Sequence, residues 1–197
     1  FGEIYRARAF WRRRWGAPRF GTWFVHKKLA GGGCFLDIGV HMLDLALYTV
    51  GDFDAESVTG AVYTKFGNRG LGQGGWGAST SEGLAFDVDD CALAFVRMKS
   101  GASVQVEISW AAHQKEGDTH NVEIFGTEAG AQVYPGEIYR FDRDLGAQVE
   151  AGGLGVPDPA QDDHREQEDD PHHPEETQFL AHHRKDQVGV TRRQEGQ

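Results

Sequence analysis

Three glycines, Gly31 to Gly33, lead into "CFLDIGVHMLDLALY", which reads as a helix over 34–49. On a helix, Asp37, His41 and Asp44 share one face, because side chains three and four positions apart are neighbours. A carboxylate one turn before an imidazole can hold that ring in one tautomer for general acid–base work. The same spacing also suits an ordinary capping Asp and a solvated His, and spacing alone leaves both readings open. Zinc held by these residues is a weaker reading, since no further ligand cluster stands near them in the sequence. The glycines would let backbone approach another group closely.

Two further stretches resemble chemical motifs. Gly70 to Gly75, "GLGQGG", has the spacing of a dinucleotide fingerprint and follows a strand-like run. It is not followed by a helix-like pattern, so the positive end that would hold a pyrophosphate is missing, and a flexible surface loop accounts for it better. His164, His172, His173, His182 and His183 lie in an acidic segment, where weak metal binding competes with plain solvated chain.

The elements that must position Asp37 and His41 follow from periodicity. Residues 3–12 suit a strand, and 13–32 are loop-like with Gly16, Pro18 and Gly21. In the helix, Leu36, Val40, Leu43 and Leu47 form the expected buried stripe, and Gly51 is a stop signal. Strand-like runs occupy 57–66, 89–98, 102–112, 120–126 and 130–142. The second and third of these flank "KSG" and form a hairpin. One helix among many hairpin-linked strands implies an α+β fold: a large, mostly antiparallel open sheet with one face covered by a helix. Residues 1–150 are expected to form this domain. Residues 151–197 are acidic, His-rich and poor in aliphatics, and are expected to be a mostly disordered tail with a short helical piece near 175–185.

Composition limits the partners. The 197 residues are 39% apolar and carry a formal net charge of −10. That balance argues against nucleic acid and anionic membranes, and the basic run Arg12–Arg14 is too short to reverse it. No stretch of eighteen apolar residues occurs. Two cysteines, Cys34 and Cys91, with no CxxC spacing fit a reducing cytoplasm. The chain lacks an initiator Met and starts in mid-pattern, which suggests a fragment.

"AGGGCFLDIGVHMLDLALYTVG" resembles the signature helix of the glucose–fructose oxidoreductase/inositol dehydrogenase (Gfo/Idh/MocA) family. "FGEIYRARAF" is similar to the opening strand of that family's C-terminal domain. "WFVHKKLAGGG", "FDVDDCALAFVRMKSGASVQVEISWA" and "NVEIFGTEAGAQVY" resemble later parts of it, in the right order over about residues 1–142. The resemblance implies an NAD(P)-dependent oxidoreductase that transfers a hydride between NAD or NADP and a sugar, an inositol or a related polyol. It implies His41 as the general base for a substrate hydroxyl and Asp37 as its orienter or as a ligand for a neighbouring hydroxyl. Trp11, Arg13 and Lys27 would contact substrate or cofactor, and the open sheet face would form a homo-oligomer. The family's Rossmann domain and the lysine of its Glu-Lys-Pro motif are not in this chain, so the cofactor would be bound mainly elsewhere and the chain alone would not turn over. A non-catalytic oligomerisation module, and an NAD-dependent glycosidase of the same family, are the alternatives.

Overall fold

Along Ile4–Arg13 small residues alternate with arginine, and this pattern makes the central strand, β1. Ala7 and Ala9 are fully buried on one side, where their small size admits a helix close to the sheet. Arg8 and Arg12 point to the other side and pair with Glu107 and Glu123 at 3.6–3.8 Å. The structure is a computed structural model, and it describes residues 1–77 and 85–153.

After β1 come a single turn, α1 (Lys27–Ala30), then helix α2 (Val40–Val50). The strands β2 (Ala55–Tyr63), β3 (Cys91–Met98), β4 (Ser103–Ser109), β5 (Asp118–Gly126), β6 (Ala129–Gln132), β7 (Glu137–Asp142) and β8 (Ala147–Gly153) complete the domain. They form one sheet in the order β2-β3-β4-β1-β5-β6-β7-β8. Every pairing is antiparallel except β1 with β4, which runs parallel because β1 is inserted between β4 and β5. The expected α+β architecture is thus observed. The expected β3–β4 hairpin is present, with Gly101 at φ 94° in its turn. The run 130–142, expected as one strand, is divided between β6 and β7 by a turn through Tyr134 and Pro135. β8 continues to Gly153; the rest of the expected disordered tail lies outside the described residues.

The helix expected over 34–49 is one π-helical turn, Phe35–Gly39, continuing into α2. It stops at Gly51 as expected: φ there is 75°, and its N–H bonds the Leu47 and Tyr48 carbonyls. The fully buried stripe is a different one, although Leu43 and Leu47 of the expected stripe are partly buried against the same core. Cys34, Ile38, Met42 and Ala46 face the sheet, while Leu36 is 56% and Val40 43% exposed. Both stripes are apolar, so hydropathy could not choose between them. The wide π turn and the small residues Gly39 and Ala46 turn the slimmer side inward, where a Cβ on Gly39 would already meet Ile108 at 3.2 Å. An eighteen-residue window within Lys27–Val50 has a mean hydropathy of 1.3, enough by composition to cross a membrane. Here glycines 31–33 interrupt it, and its Cys34–Ala46 stripe is part of the sheet's core.

The segment "FDVDD" holds this helix start and the turn at 65–67 in place with carboxylates. Asp87 accepts from the Lys27 N–H at 2.6 Å. Asp89 accepts from the Gly33 and Phe35 N–H groups at 2.8 and 3.0 Å. The fully buried Asp90 accepts from the N–H groups of Lys65, Phe66 and Gly67 at 2.6–2.9 Å. Each carboxylate satisfies backbone donors that would otherwise be left unpaired at a turn. This also changes the reading of the glycine triplet. A Cβ on Gly33 would sit 1.9 Å from the Asp89 carbonyl oxygen, so the close approach at Gly33 is to backbone rather than to a ligand.

The "GLGQGG" loop is docked rather than free. Ala17 N–H donates to the Gly72 carbonyl at 2.9 Å and Gly74 N–H to the Ala17 carbonyl at 2.8 Å, while the Gln73 side chain accepts from Phe20 N–H. A Cβ on Gly72 would overlap Ala111. Gly72 and Gly74 fit the loop against Ala111 and Gly16, and no helix follows among the described residues.

Candidate functional site

The C-terminal ends of the parallel strands β1 and β4, the start of β5 and the start of the helix meet at one end of the sheet. Strand alternation sends Trp11 and Arg13 to the same side as Ala7 and Ala9, the helix side. Just past β4, Trp110 continues the inward set Val104, Val106 and Ile108 and is fully buried, with Phe24 and Phe86 as ring neighbours at 6.3 and 6.4 Å.

A buried indole needs an acceptor for its N–H. Trp110 Nε1 donates to Asp37 Oδ2 at 2.8 Å. Asp37 is held on the π turn, with its own N–H on the Gly33 carbonyl at 3.0 Å. Burial pushes the Asp37 carboxyl above its usual pKa, against the opposite pull of the Trp110 N–H, Arg13 and His41. His41 lies one turn further along with its side chain exposed. The pair read from spacing is therefore a half-buried carboxylate fixed from below beside an imidazole open to solvent.

Arg13 links this pair to a second group. Its Nε donates to Asp118 Oδ2 at 3.0 Å, and its guanidinium lies 4.6 Å from the Trp11 ring centre. Trp11 Nε1 donates to the other oxygen of Asp118 at 2.8 Å. The His120 ring packs 5.1 Å from Trp11 and 5.2 Å from Tyr134, and its Nδ1 stands 3.9 Å from Asp118 Oδ1, beyond hydrogen-bond distance. Burial raises the Asp118 carboxyl, but His120, Arg13 and Trp11 together outweigh it and hold it below the usual value.

Of the residues singled out in the sequence, Asp37, His41, Trp11 and Arg13 share this end and side of the sheet. Lys27 stands apart: its side chain is exposed on α1, and its backbone N–H is held by Asp87. Asp44 is also exposed. Sequence reasoning missed Trp110, Asp118, His120 and Tyr134. A lone Trp at the end of an inward-facing strand was the available signal, because its N–H demands a partner. Chemically, the arrangement offers donors, acceptors and aromatic faces, which suits a ligand rich in hydroxyls. Among the described residues the fingerprint-like loop is no cradle for a dinucleotide, because Gly72, Gln73 and Gly74 are engaged with Ala17, Phe20 and Ala111.

Comparison with known proteins gives a consistent result. The model of the GFO/IDH/MocA C-terminal domain matches residues 1–132. A D-glucoside 3-dehydrogenase of Escherichia coli (strain K12) is 36% identical over 140 residues, covering 70% of this chain and 38% of the relative. A levoglucosan dehydrogenase of Pseudarthrobacter phenanthrenivorans (strain DSM 18606 / JCM 16027 / LMG 23796 / Sphe3) is 33% identical over 135 residues, covering 64% of this chain and 34% of the relative. A solved structure of levoglucosan dehydrogenase in complex with NADH and levoglucosan has a TM-score of 0.58 at 26% identity, covering 76% of this chain and 40% of that one. The chain thus spans well under half the length of these relatives. The matched residues include the whole of the π turn, α2 and the strands that place Asp37 and His41, and through them this chain belongs to the Gfo/Idh/MocA family as its C-terminal domain.

Proposed function

We propose that this domain is the substrate-binding and proton-transfer half of an NAD(P)-dependent dehydrogenase acting on a sugar, an inositol or a related polyol. The observation that carries the reading is Asp37, fixed by the Trp110 N–H at 2.8 Å beside the exposed His41. A base must reach its proton in the bound substrate, and an exposed imidazole on a rigid helix start meets that condition. His41 takes the proton from a substrate hydroxyl, and Asp37 orients the imidazole or binds a neighbouring hydroxyl. Trp11 offers a ring face and Arg13 a donor. The nicotinamide cofactor supplies the hydride acceptor, and a nucleotide-binding half outside these residues holds it. Relatives named for D-glucosides and levoglucosan support the substrate class.

The test is kinetic. The 197-residue chain alone is expected to form no NADH or NADPH from sugars or polyols. In a polypeptide that joins it to a nucleotide-binding half, His41→Ala is expected to lower kcat by about 10²–10⁴ with unchanged folding. Wild-type kcat in the variant sinks the assignment.

The same reading includes a homo-oligomer through the open sheet face. Leu93 and Phe95 are 42% and 44% exposed there. Arg8, Arg12, Glu107 and Glu123 pair beside them on that face. A reducing cytoplasm completes it: Cys34 and Cys91 are free thiols, both pushed upward in pKa first of all by burial.

A further inference from the structure

Where β1 ends, Arg14 and Trp15 leave the sheet beside the chain that follows β4. Arg14 N–H donates to the Gly117 carbonyl at 2.7 Å and the Arg14 carbonyl accepts from Ala112 N–H at 3.3 Å, while Trp15 bridges Ala111. Gln114 Nε2 donates to the Arg12 and Glu116 carbonyls at 3.0 and 3.1 Å, so this loop is fixed in place. Between it and the turn held by Asp90 lies a groove of about 500 Å³ whose walls include Arg14, Trp15, Phe66, Leu71, His113 and Lys115. Asp37, His41, Trp11 and Arg13 take no part in its lining.

The groove has two unusual properties. Its lining includes Arg14 and Lys115 and, among the described residues, no carboxylate, in a chain of net charge −10. It is also aromatic. Trp15 is 58% exposed, with the Arg14 guanidinium 5.2 Å from its ring centre, and Phe66 packs edge-on against His113 at 5.0 Å. Arg14 Nε is buried with no hydrogen-bond partner among the described residues.

We infer that this groove binds an anionic saccharide, a sugar bearing a phosphate or a carboxylate. The C–H face of the ring lies against Trp15, and the anion lies on Arg14 and Lys115. Guanidinium and ammonium groups beside an apolar wall make strong charge-assisted hydrogen bonds to either anion. The volume falls in the range of small-molecule sites. The saccharide half of the inference rests on the sugar reading above; the anion half rests on the groove alone.

Calorimetry on the 197-residue chain, with no nicotinamide present, tests it using glucose 6-phosphate, glucuronate, glucose and inorganic phosphate. At least one anionic sugar is expected to bind tenfold or more tighter than both glucose and inorganic phosphate, and the tighter of the two identifies the anion. Arg14→Gln, Lys115→Gln and Trp15→Ala are each expected to weaken that binding at least fivefold. Lys115 is exposed, so its variant keeps the test valid if an Arg14 variant fails to fold. No binding, equal binding of glucose, or equal binding of phosphate alone overturns the inference. So does binding lost in His41→Ala but kept in Arg14→Gln and Lys115→Gln, which puts the sugar at the Asp37 site. Because no turnover is measured, failure of the dehydrogenase reading leaves this result independent.

Discussion

Asp37 carries a conflict between stability and chemistry. Its carboxyl is pushed above the usual value of 3.8, first by burial, so folding favours the protonated form. The sign follows from linkage: the contribution is fully present below the unfolded pKa and is lost as pH rises through the raised folded pKa. An amide keeps an acceptor for Trp110 Nε1 without the buried charge. Asp37→Asn is therefore expected to match wild type in acid and to become the more stable of the two as pH climbs to neutrality, as urea melts across that range would record. A variant less stable than wild type at neutral pH would mean that the ionised carboxylate contributes net stability. Asp118 has the opposite sign, since its depressed carboxyl contributes stability that is lost as pH falls through the folded value.

The helix start is an element built around one carboxylate and one missing side chain. Asp89 holds the N–H groups of Gly33 and Phe35 and also lies 3.3 Å from Cys34 Sγ. Removing it in Asp89→Ala leaves those donors unpaired at a part-buried turn, a loss of about 2–3 kcal/mol. Gly33→Ala forces a Cβ onto the Asp89 backbone, where no flexible side chain can yield. It is expected to destabilise by about 3 kcal/mol. Gly51→Ala is the control: φ is 75° but nothing lies within 4 Å of the added Cβ, so only about 1 kcal/mol of backbone strain is expected. Thermal melts of the three variants check the order; a Gly33 variant no worse than the Gly51 variant would remove the packing argument.

At the scale of the whole molecule, the two faces of the sheet have different fates. One is covered by α2 over β1, β4 and β5. The other leaves Leu93 and Phe95 accessible beside charge pairs that are themselves only about a third exposed. Surface ion pairs contribute little, so association through this face would draw mainly on apolar area. Leu93→Asp combined with Phe95→Asp is expected to turn an oligomer into a monomer in analytical ultracentrifugation, with the far-UV spectrum unchanged. A wild-type chain that sediments as a monomer at high concentration would count against this interface.

The sequence by itself determined the class of fold, the hairpin at Gly101, the stop at Gly51 and the Asp37–His41 spacing. These are local matters, decided by period, turn chemistry and backbone geometry within a few residues. Tertiary structure decided what local pattern left equal. Two apolar stripes competed on the helix, and the sheet took the Cys34–Ala46 one, beside which Gly39 lies so near Ile108 that an added Cβ would meet it at 3.2 Å. The glycine triplet carried no label saying what approaches it, and the answer, Asp89, lies 56 residues further along the chain. Asp37 meets Trp110 across 73 residues, a contact that exists only once β4 lies beside β1. Long-range pairing of this kind leaves no trace in local periodicity, because either partner alone is an ordinary residue of its own element.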